Sequence, residues 1–154
     1  MTIAEILKPE AVIPHLRASD KTQALESLAK CAAAMTGLSD RVIVDVLLER
    51  EQLGSTGVGS GIAIPHGRLR GIDRIHAFFA RLDRPVPFEA MDDQPVDLIF
   101  LLLAPPDSGT EHLKALAQIS RLLRDNDVCE RIRRAKNADE LHALLIRPPA
   151  ICTA

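Results

Sequence analysis

The sequence predicts a single α/β domain built on one mixed β-sheet with helices on both faces. Segments with the apolar spacing of helices alternate with short apolar segments typical of strands. The stretch 96–104 is apolar at almost every position, as in a central strand that helices cover on both sides. The connection 83–95 has no helical pattern, so we expect one neighbouring pair of strands to be antiparallel.

The first half of the chain is predicted to hold two strands and two helices. In each predicted helix, apolar residues recur every three or four positions between a capping residue and a glycine. Ser19 or Asp20 can cap the first helix, which stops at Gly37, and Ser39 can cap the second, which stops at Gly54. The predicted elements are strand 12–16, helix 20–36, helix 40–53 and strand 61–64.

The second half is predicted to contain two longer strands followed by three helices. Asn126 and Asn137 are plausible caps for the last two helices. The predicted elements are strands 74–82 and 96–104 and helices 110–124, 127–135 and 138–146. The domain is therefore expected to span residues 3–146. Residues 147–154, which include a Pro-Pro pair, are expected to form a flexible tail.

Composition and charge exclude several classes of function. The chain of 154 residues has 21 acidic and 19 basic side chains and a net charge of −2, which predicts no basic surface for nucleic acid. Aromatic residues make up 3% of the chain, with no Trp or Tyr on which single-stranded bases could stack. The longest apolar run is too short to cross a membrane, and the first residues lack the pattern of a secretion signal.

The cysteines and histidines do not predict a metal site. Cys31, Cys129 and Cys152 form no CxxC pair, and their number is odd, so neither a disulfide framework nor a cysteine zinc site is expected. No two histidines have the helix-face spacing of metal ligands. We therefore predict no metal, no other cofactor, and a location in the reducing cytoplasm.

Residues 54–61 contain four glycines, which predict a loop able to present backbone N–H groups. Such a loop can bind an anion, or it can be a long flexible turn. No Lys-Ser or Lys-Thr pair follows, so the segment is not a P-loop, and a strand rather than a helix follows, so it is not a dinucleotide fingerprint. It also lacks the GxSxG pattern of a nucleophile elbow.

Three side chains are candidates for chemistry because of where they lie. His66 follows a predicted strand between rigid Pro65 and small Gly67, Arg50 lies on the apolar stripe of its helix, and His112 lies in the first turn of another. Each also has a structural interpretation: a loop histidine, a cation favoured in the last helical turn, and a half-buried histidine beside a cap. The functional interpretation is a reactive imidazole, a cation that meets an oxyanion, and a neutral imidazole at a phosphate-binding helix start.

Together these features resemble the type-2 (fructose/mannitol-type) enzyme IIA proteins of the bacterial phosphoenolpyruvate phosphotransferase system. The matching segments are Glu49-Arg50-Glu51, Gly57-Val58-Gly59, Ile62-Ala63-Ile64-Pro65-His66-Gly67, and Pro105-Pro106 followed by His112-Leu113. The resemblance implies the mixed sheet of the mannitol-type enzyme IIA. Within the family, the chain is most similar to the nitrogen-regulatory branch, through the segments 3–7 and 49–57.

The resemblance implies that His66 is the phosphorylated residue and that Arg50 and His112 support it. It also implies that Nε2 of His66 reacts while Nδ1–H is held by an acceptor. A phosphoryl group held without a metal needs several hydrogen-bond donors. We expect them to be the Arg50 guanidinium, the His112 ring N–H and backbone N–H groups of the glycine loop. The loop residues predicted to bind phosphate are Thr56, Gly57 and Gly59.

The expected phosphoryl donor is the histidine phosphocarrier protein of the same system, which would dock on an apolar rim around His66. The residues predicted to form this rim are Val58, Ile62, Leu69 and Leu113. In the nitrogen-regulatory branch, the phosphorylation state controls partner proteins, for which the family suggests potassium transport regulators or sensor kinases. No nucleic acid and no membrane insertion are expected.

Three alternatives stay open at the level of sequence. In the first, the chain is a sugar-specific enzyme IIA that passes its phosphoryl group to a IIB component or permease. In the second, it is a regulatory binding module whose phosphorylation state changes which protein it docks, and enzymatic turnover is not its purpose. In the third, it is a hydrolase in which Ser60 or Ser108 pairs with a histidine. The hydrolase is disfavoured because neither serine lies in the sharp turn that exposes such a nucleophile.

Overall fold

The computed structural model describes residues 2–147, which form one six-stranded sheet with six α-helices. The strands are β1 (Val12–Leu16), β2 (Gly57–Gly59), β3 (Ile62–Ala63), β4 (His66–Arg68), β5 (His76–Val86) and β6 (Val96–Ala104). The helices are α1 (Ile3–Ile6), α2 (Lys21–Thr36), α3 (Asp40–Gln52), α4 (Thr110–Leu123), α5 (Asn126–Arg134) and α6 (Ala138–Leu145).

The sheet is mixed, as the sequence predicts. Its strand order is β1-β5-β6-β3-β2, and β4 also pairs with β6. Strand β6 runs antiparallel to β5 and parallel to both β3 and β4. The antiparallel pair is the one joined by the connection without a helical pattern, so that prediction is confirmed.

The core is centred on β6. All of its residues except Asp97 are buried. Because successive side chains of a strand point to opposite faces, both faces of the sheet are covered there. Helices α2 and α3 pack against each other, and α5 packs against both α4 and α6. The predicted α/β class with helices flanking a single sheet is therefore confirmed.

Several boundaries differ from the prediction. The short helix α1 and a 3-10 turn at Pro9–Ala11 were not predicted, because each is shorter than the periodicity that would reveal it. The predicted strand 61–64 corresponds to β3, and the pairing then continues past Pro65 into β4. Strand β5 begins two residues later than predicted and runs four residues further. Residues 148–154, most of the predicted tail, lie outside the described residues.

The predicted helix caps are largely confirmed. Asp20, Ser39 and Asn137 each accept a backbone N–H through the side chain at the start of a helix. Gly37 ends α2 in the left-handed conformation, with a φ of 77°. The cap predicted at Asn126 is wrong, because the side chain of Asp125 accepts the N–H groups of Asp127 and Val128, and Asn126 is the first helical residue.

The topology brings three chain segments to one end of the sheet. His66 begins β4 opposite Leu102, close to the end of β6, and the chain then leads from β6 into α4. Helix α3 packs against β4. This contact depends on Gly67, since a Cβ there would lie 2.6 Å from Cγ1 of Val46 in α3. The last turn of α3, the start of β4 and the first turn of α4 therefore meet.

Candidate functional site

The three side chains singled out by the sequence lie together at this meeting point. The Arg50 Nε atom is 3.4 Å from Nε2 of His66. The rings of His66 and His112 lie edge to face, with centroids 5.5 Å apart. Residues separated by 16 and 46 positions from His66 in the sequence thus contact its imidazole from two sides.

The hydrogen bonds of His66 define its tautomer. Its Nδ1 lies 3.0 Å from the backbone carbonyl oxygen of Ile64, which can only accept a hydrogen bond. On the other side of the ring, the Arg50 guanidinium can only donate, so Nε2 must offer its lone pair. The geometry therefore favours a neutral ring with the proton on Nδ1 and a free lone pair on Nε2, which is the form that acts as a nucleophile.

Arg50 is held by the turn that ends α3. Its Nη1 atom donates to the backbone carbonyl of Gly54 at 2.9 Å, while Nε is directed at His66. The side chain is half-buried and lies in the last turn of the helix, where the dipole also favours a cation. Contact with Nε2 of His66 is not required for that dipole interaction, so the position of the guanidinium supports the functional interpretation.

His112 is a buried, neutral histidine. Only 6% of its surface is exposed, and its Nδ1 has no hydrogen-bond partner within residues 2–147. Burial, followed by the electrostatic influence of the neighbouring His66 and Arg68, lowers the pKa of His112 below its ordinary value. The ring of His112 thus lies beside His66 with a hydrogen-bonding capacity that the described residues do not fully use.

This lowered pKa predicts how stability depends on pH. An unfolded His112 binds a proton more readily than the folded one, so its contribution to the free energy of unfolding is complete above about pH 6.5 and is lost as the pH falls below that value. We expect His112→Gln, which does not titrate, to lose less stability than the wild type between about pH 7 and pH 5. Denaturant unfolding at both pH values measures the difference. His76, whose pKa is also lowered by burial, is present in both proteins and cancels. Equal losses would contradict the expectation.

Thr56 and Gly57 of the glycine loop already have intramolecular partners. The backbone N–H of Thr56 donates to both carboxylate oxygens of Glu51, at 2.9 and 3.2 Å, and its hydroxyl also donates to Glu51. The N–H of Gly57 donates to the hydroxyl of Ser55 at 3.0 Å. Gly59 ends β2 with a φ of 102°, a backbone conformation suited to glycine. Binding of phosphate by this loop stays a prediction.

Sequence analysis missed a polar cluster beside the glycine loop, formed by Glu51, Thr56 and Lys21. Glu51 has a side chain only 5% exposed, and it pairs with Lys21 Nζ at 3.4 Å. Lys21 comes from α2 and also lies over the ring of Phe88, 4.8 Å from its centroid. The sequence feature that could have revealed this cluster is a carboxylate at the end of a helix, followed closely by a glycine loop whose backbone N–H groups need acceptors.

The predicted apolar rim is only half correct. Val58 and Leu113 are exposed, as expected. Ile62 and Leu69 are wrong, because both are buried: Ile62 pairs with β6, and the N–H of Leu69 continues the β4 pairing by bonding Ala104. Two apolar residues near the same loops are exposed instead, namely Leu53 and Met91.

The serines considered for hydrolysis do not pair with histidine. The hydroxyl of Ser108 is buried and has no hydrogen-bond partner among the described residues. Ser60 lies in a left-handed turn with a φ of 58°, where its N–H bonds Asp92 and its carbonyl accepts from Arg133. The described residues also include no group of three or more His, Cys, Asp or Glu that could hold a metal ion.

Comparison with known proteins decides the family. A family model described as "Phosphoenolpyruvate-dependent sugar phosphotransferase system, EIIA 2" matches residues 5–147. The chain belongs to this family. Its EIIA fold is shared with the nitrogen regulatory protein IIA-Ntr from Neisseria meningitidis, at a TM-score of 0.89 and 34% identity over 93% of this chain and 98% of that one. The IIA mannitol structure from Escherichia coli matches at a TM-score of 0.73 and 25% identity, over 90% and 97% of the two chains.

Within the EIIA family, the similarity is greatest to the nitrogen-regulatory branch. A nitrogen regulatory protein from Bradyrhizobium diazoefficiens is 52% identical over 150 residues, which cover 97% of this chain and 98% of that protein. The resemblance inferred from the motifs around His66 is thus confirmed for the family and for the branch. No helix within residues 2–147 has both the length and the apolar character required to traverse a bilayer.

Proposed function

We propose that this EIIA protein is a phosphohistidine carrier that accepts a phosphoryl group on Nε2 of His66. The observation that carries the proposal is the pairing of the two ring nitrogens. A backbone carbonyl holds the proton on Nδ1, and a guanidinium lies beside the free lone pair of Nε2. A ring held in this way presents a neutral nucleophile next to a fixed positive charge.

The proposed donor is a histidine phosphocarrier protein in its phosphorylated form. The lone pair of Nε2 attacks phosphorus, the new N–P bond forms, and the N–P bond to the donor histidine breaks with its electron pair returning to the donor. The Nδ1 proton stays on the hydrogen bond to Ile64. Little covalent work is left to the protein, so its task is positioning and stabilisation of charge on the phosphoryl oxygens.

Arg50 and His112 are the groups we propose for that stabilisation. The guanidinium supplies a permanent positive charge and several N–H donors. The ring of His112 supplies a neutral N–H donor at the start of α4, where the helix dipole also favours an anion. The N–H groups of Thr56 and Gly57 donate to Glu51 and Ser55 in this structure, so phosphate binding by Thr56, Gly57 and Gly59 stays a prediction that the proposed transfer does not depend on.

The proposed output is regulation in the cytoplasm rather than sugar uptake. The greater similarity to nitrogen regulatory proteins than to the mannitol IIA supports this output. A phosphoryl group adds negative charge to a surface that exposes Val58 and Leu113, so a partner that prefers the bare apolar surface is released. By family, the partners would be potassium transport regulators or sensor kinases. The alternative is a sugar-specific IIA that serves a IIB component or permease.

Intact-mass measurement tests the carrier role. The protein is incubated with phosphoenolpyruvate, enzyme I and the phosphocarrier, and the mass is read at neutral pH. One added phosphoryl group that is lost in acid supports a phosphohistidine. No added mass with several cognate phosphocarriers contradicts the proposal. Onward transfer to a purified sugar-specific IIB component would favour the sugar-uptake alternative.

Donor docking yields a separate prediction at Leu113. This side chain is 63% exposed and follows His112 directly, so we expect it to contact the docked phosphocarrier. Leu113→Glu should raise the donor concentration needed for half-maximal transfer by roughly tenfold, with little change in the rate at saturation. Val42→Glu is the matched control: Val42 is 50% exposed in the first turn of α3, at the opposite end from Arg50, and its substitution should leave transfer unchanged. Equal effects of the two substitutions would contradict docking at Leu113.

A further inference from the structure

We propose that Glu51 is a positioning residue that fixes both the His66 imidazole and the Arg50 guanidinium in their reactive arrangement. This inference rests on the proposed phosphoryl transfer at His66. Glu51 does not contact the imidazole of His66. It acts through two short series of hydrogen bonds that start at its buried carboxylate.

The first series leads to His66. The carboxylate of Glu51 accepts the backbone N–H and the hydroxyl of Thr56. The carbonyl of Thr56 accepts the N–H of Ile64 at 3.0 Å, and the carbonyl of Ile64 lies 3.0 Å from Nδ1 of His66. The Ile64 carbonyl oxygen, which selects the His66 tautomer, is therefore positioned by the hydrogen bond between Ile64 and Thr56, and Thr56 is in turn held by Glu51.

The second series leads to Arg50. The backbone carbonyl of Glu51 accepts the N–H of Gly54 at 3.1 Å, while its side chain holds Thr56, so the turn 51–56 is closed at both ends by one residue. The Gly54 carbonyl in the middle of that turn accepts Nη1 of Arg50 at 2.9 Å. The same turn thus orients the guanidinium whose Nε is directed at His66.

Lys21 supplies a counter-charge for Glu51. A buried carboxylate is stabilised by a nearby cation together with hydrogen bonds. Lys21 Nζ lies 3.4 Å from the carboxylate and is itself only 15% exposed. Nζ is also 3.5 Å from the carbonyl oxygen of Phe88 and 3.9 Å from the carboxylate of Glu89. With its charge matched, Glu51 can accept both donors of Thr56, which a neutral amide can do only with a single oxygen.

Glu51→Gln tests the assignment. The variant is nearly isosteric but loses one acceptor and the negative charge. We expect the rate of phosphoryl transfer at saturating donor to fall by roughly tenfold to a hundredfold, as when a reacting group is displaced by about 1 Å. The donor concentration for half-maximal rate should stay near the wild-type value. Nitrogen-15 NMR of the unphosphorylated protein should show His66 shifted away from a single Nδ1–H tautomer.

Asp97→Asn is the matched control. Asp97 forms an ion pair with Arg133 through two hydrogen bonds of 2.9 Å, but it takes no part in either series of bonds to His66 and Arg50. It should cost stability without changing the transfer rate or the His66 tautomer. If Glu51→Gln does not fold, the double variant Lys21→Met/Glu51→Gln removes both charges and takes its place in the same measurements.

The outcomes separate the two proposals. If wild-type protein accepts no phosphoryl group on His66, the proposed function fails, and the tautomer measurement still tests the positioning role. If wild-type protein is phosphorylated and Glu51→Gln transfers at the wild-type rate, the positioning role is wrong. It is also wrong if Glu51→Gln and Asp97→Asn slow transfer equally and neither changes the His66 tautomer, since a general loss of stability then accounts for both.

Discussion

His66→Ala is expected to remain folded and to accept no phosphoryl group. His66 is the only histidine within residues 2–147 with Nε2 next to the Arg50 guanidinium, and its removal deletes the nucleophile while leaving β4 paired with β6. Because the side chain is half-buried at the start of a short strand, its loss should disturb the core little. Intact mass after incubation with the complete phosphorylation system should show one phosphoryl group on the wild type and none on the variant.

The control for this experiment is His15→Ala. His15 on β1 lies 3.1 Å from the carboxylate of Asp83 on β5 in an exposed pair, and no hydrogen bond within residues 2–147 joins His15 to Arg50, His66 or His112. This variant should be phosphorylated as completely as the wild type. If the His66→Ala protein still carries an acid-labile phosphoryl group, another residue is the acceptor. The roles proposed for Arg50 and His112 would then also be wrong.

The second large effect is expected at Arg50. Its guanidinium lies 3.4 Å from Nε2 of His66, the nitrogen proposed to attack phosphorus. It would therefore lie close to the phosphoryl oxygens, on which charge develops during transfer. Removal of one such donor in a preorganised site lowers rates by about 10²- to 10³-fold. We expect Arg50→Ala to slow transfer to this extent in single-turnover measurements with the phosphorylated donor.

Arg50→Lys distinguishes catalysis from helix stabilisation. A lysine keeps a positive charge in the last turn of α3 and so keeps the favourable dipole interaction. It lacks the rigid guanidinium of Arg50, which donates to the Gly54 carbonyl through Nη1 and at the same time faces Nε2 of His66 through Nε. The lysine variant should therefore have near wild-type stability and slow transfer. If Arg50→Ala and Arg50→Lys both transfer the phosphoryl group at the wild-type rate, Arg50 only stabilises the end of α3 and takes no part in transfer.

The fold could be predicted wherever a segment was long enough to show a period. Strand β6 could be predicted residue for residue because it is apolar at every position but Asp97, and α2 could be predicted from its apolar stripe and from the caps Asp20 and Gly37. Strands β2 and β4, of three residues each, carry no period and are defined by their pairing, β2 with the neighbouring β3 and β4 with the distant β6. The mistaken cap at Asn126 has a similar cause, since Asp125, Asn126 and Asp127 are all residue types that can cap a helix.

The candidate site was visible in the sequence for a different reason. Arg50 interrupts an apolar stripe, and His66 follows a strand between proline and glycine, so both depart from what the local structure needs. Glu51 breaks no local pattern in the sequence, and only the folded chain brings Thr56 and Lys21 to its carboxylate. Exposure of Ile62 was likewise misjudged, because proximity to a motif along the sequence does not say which way a side chain faces.

The most direct test of the central claim is nitrogen-15 and phosphorus-31 NMR of the phosphorylated protein labelled at its histidines. We predict a single phosphohistidine, at His66, with phosphorus bonded to Nε2 and the proton kept on Nδ1 by the Ile64 carbonyl. The His112 ring should remain neutral and unmodified. Phosphorus on Nδ1 of His66, or on any other residue, would contradict the account.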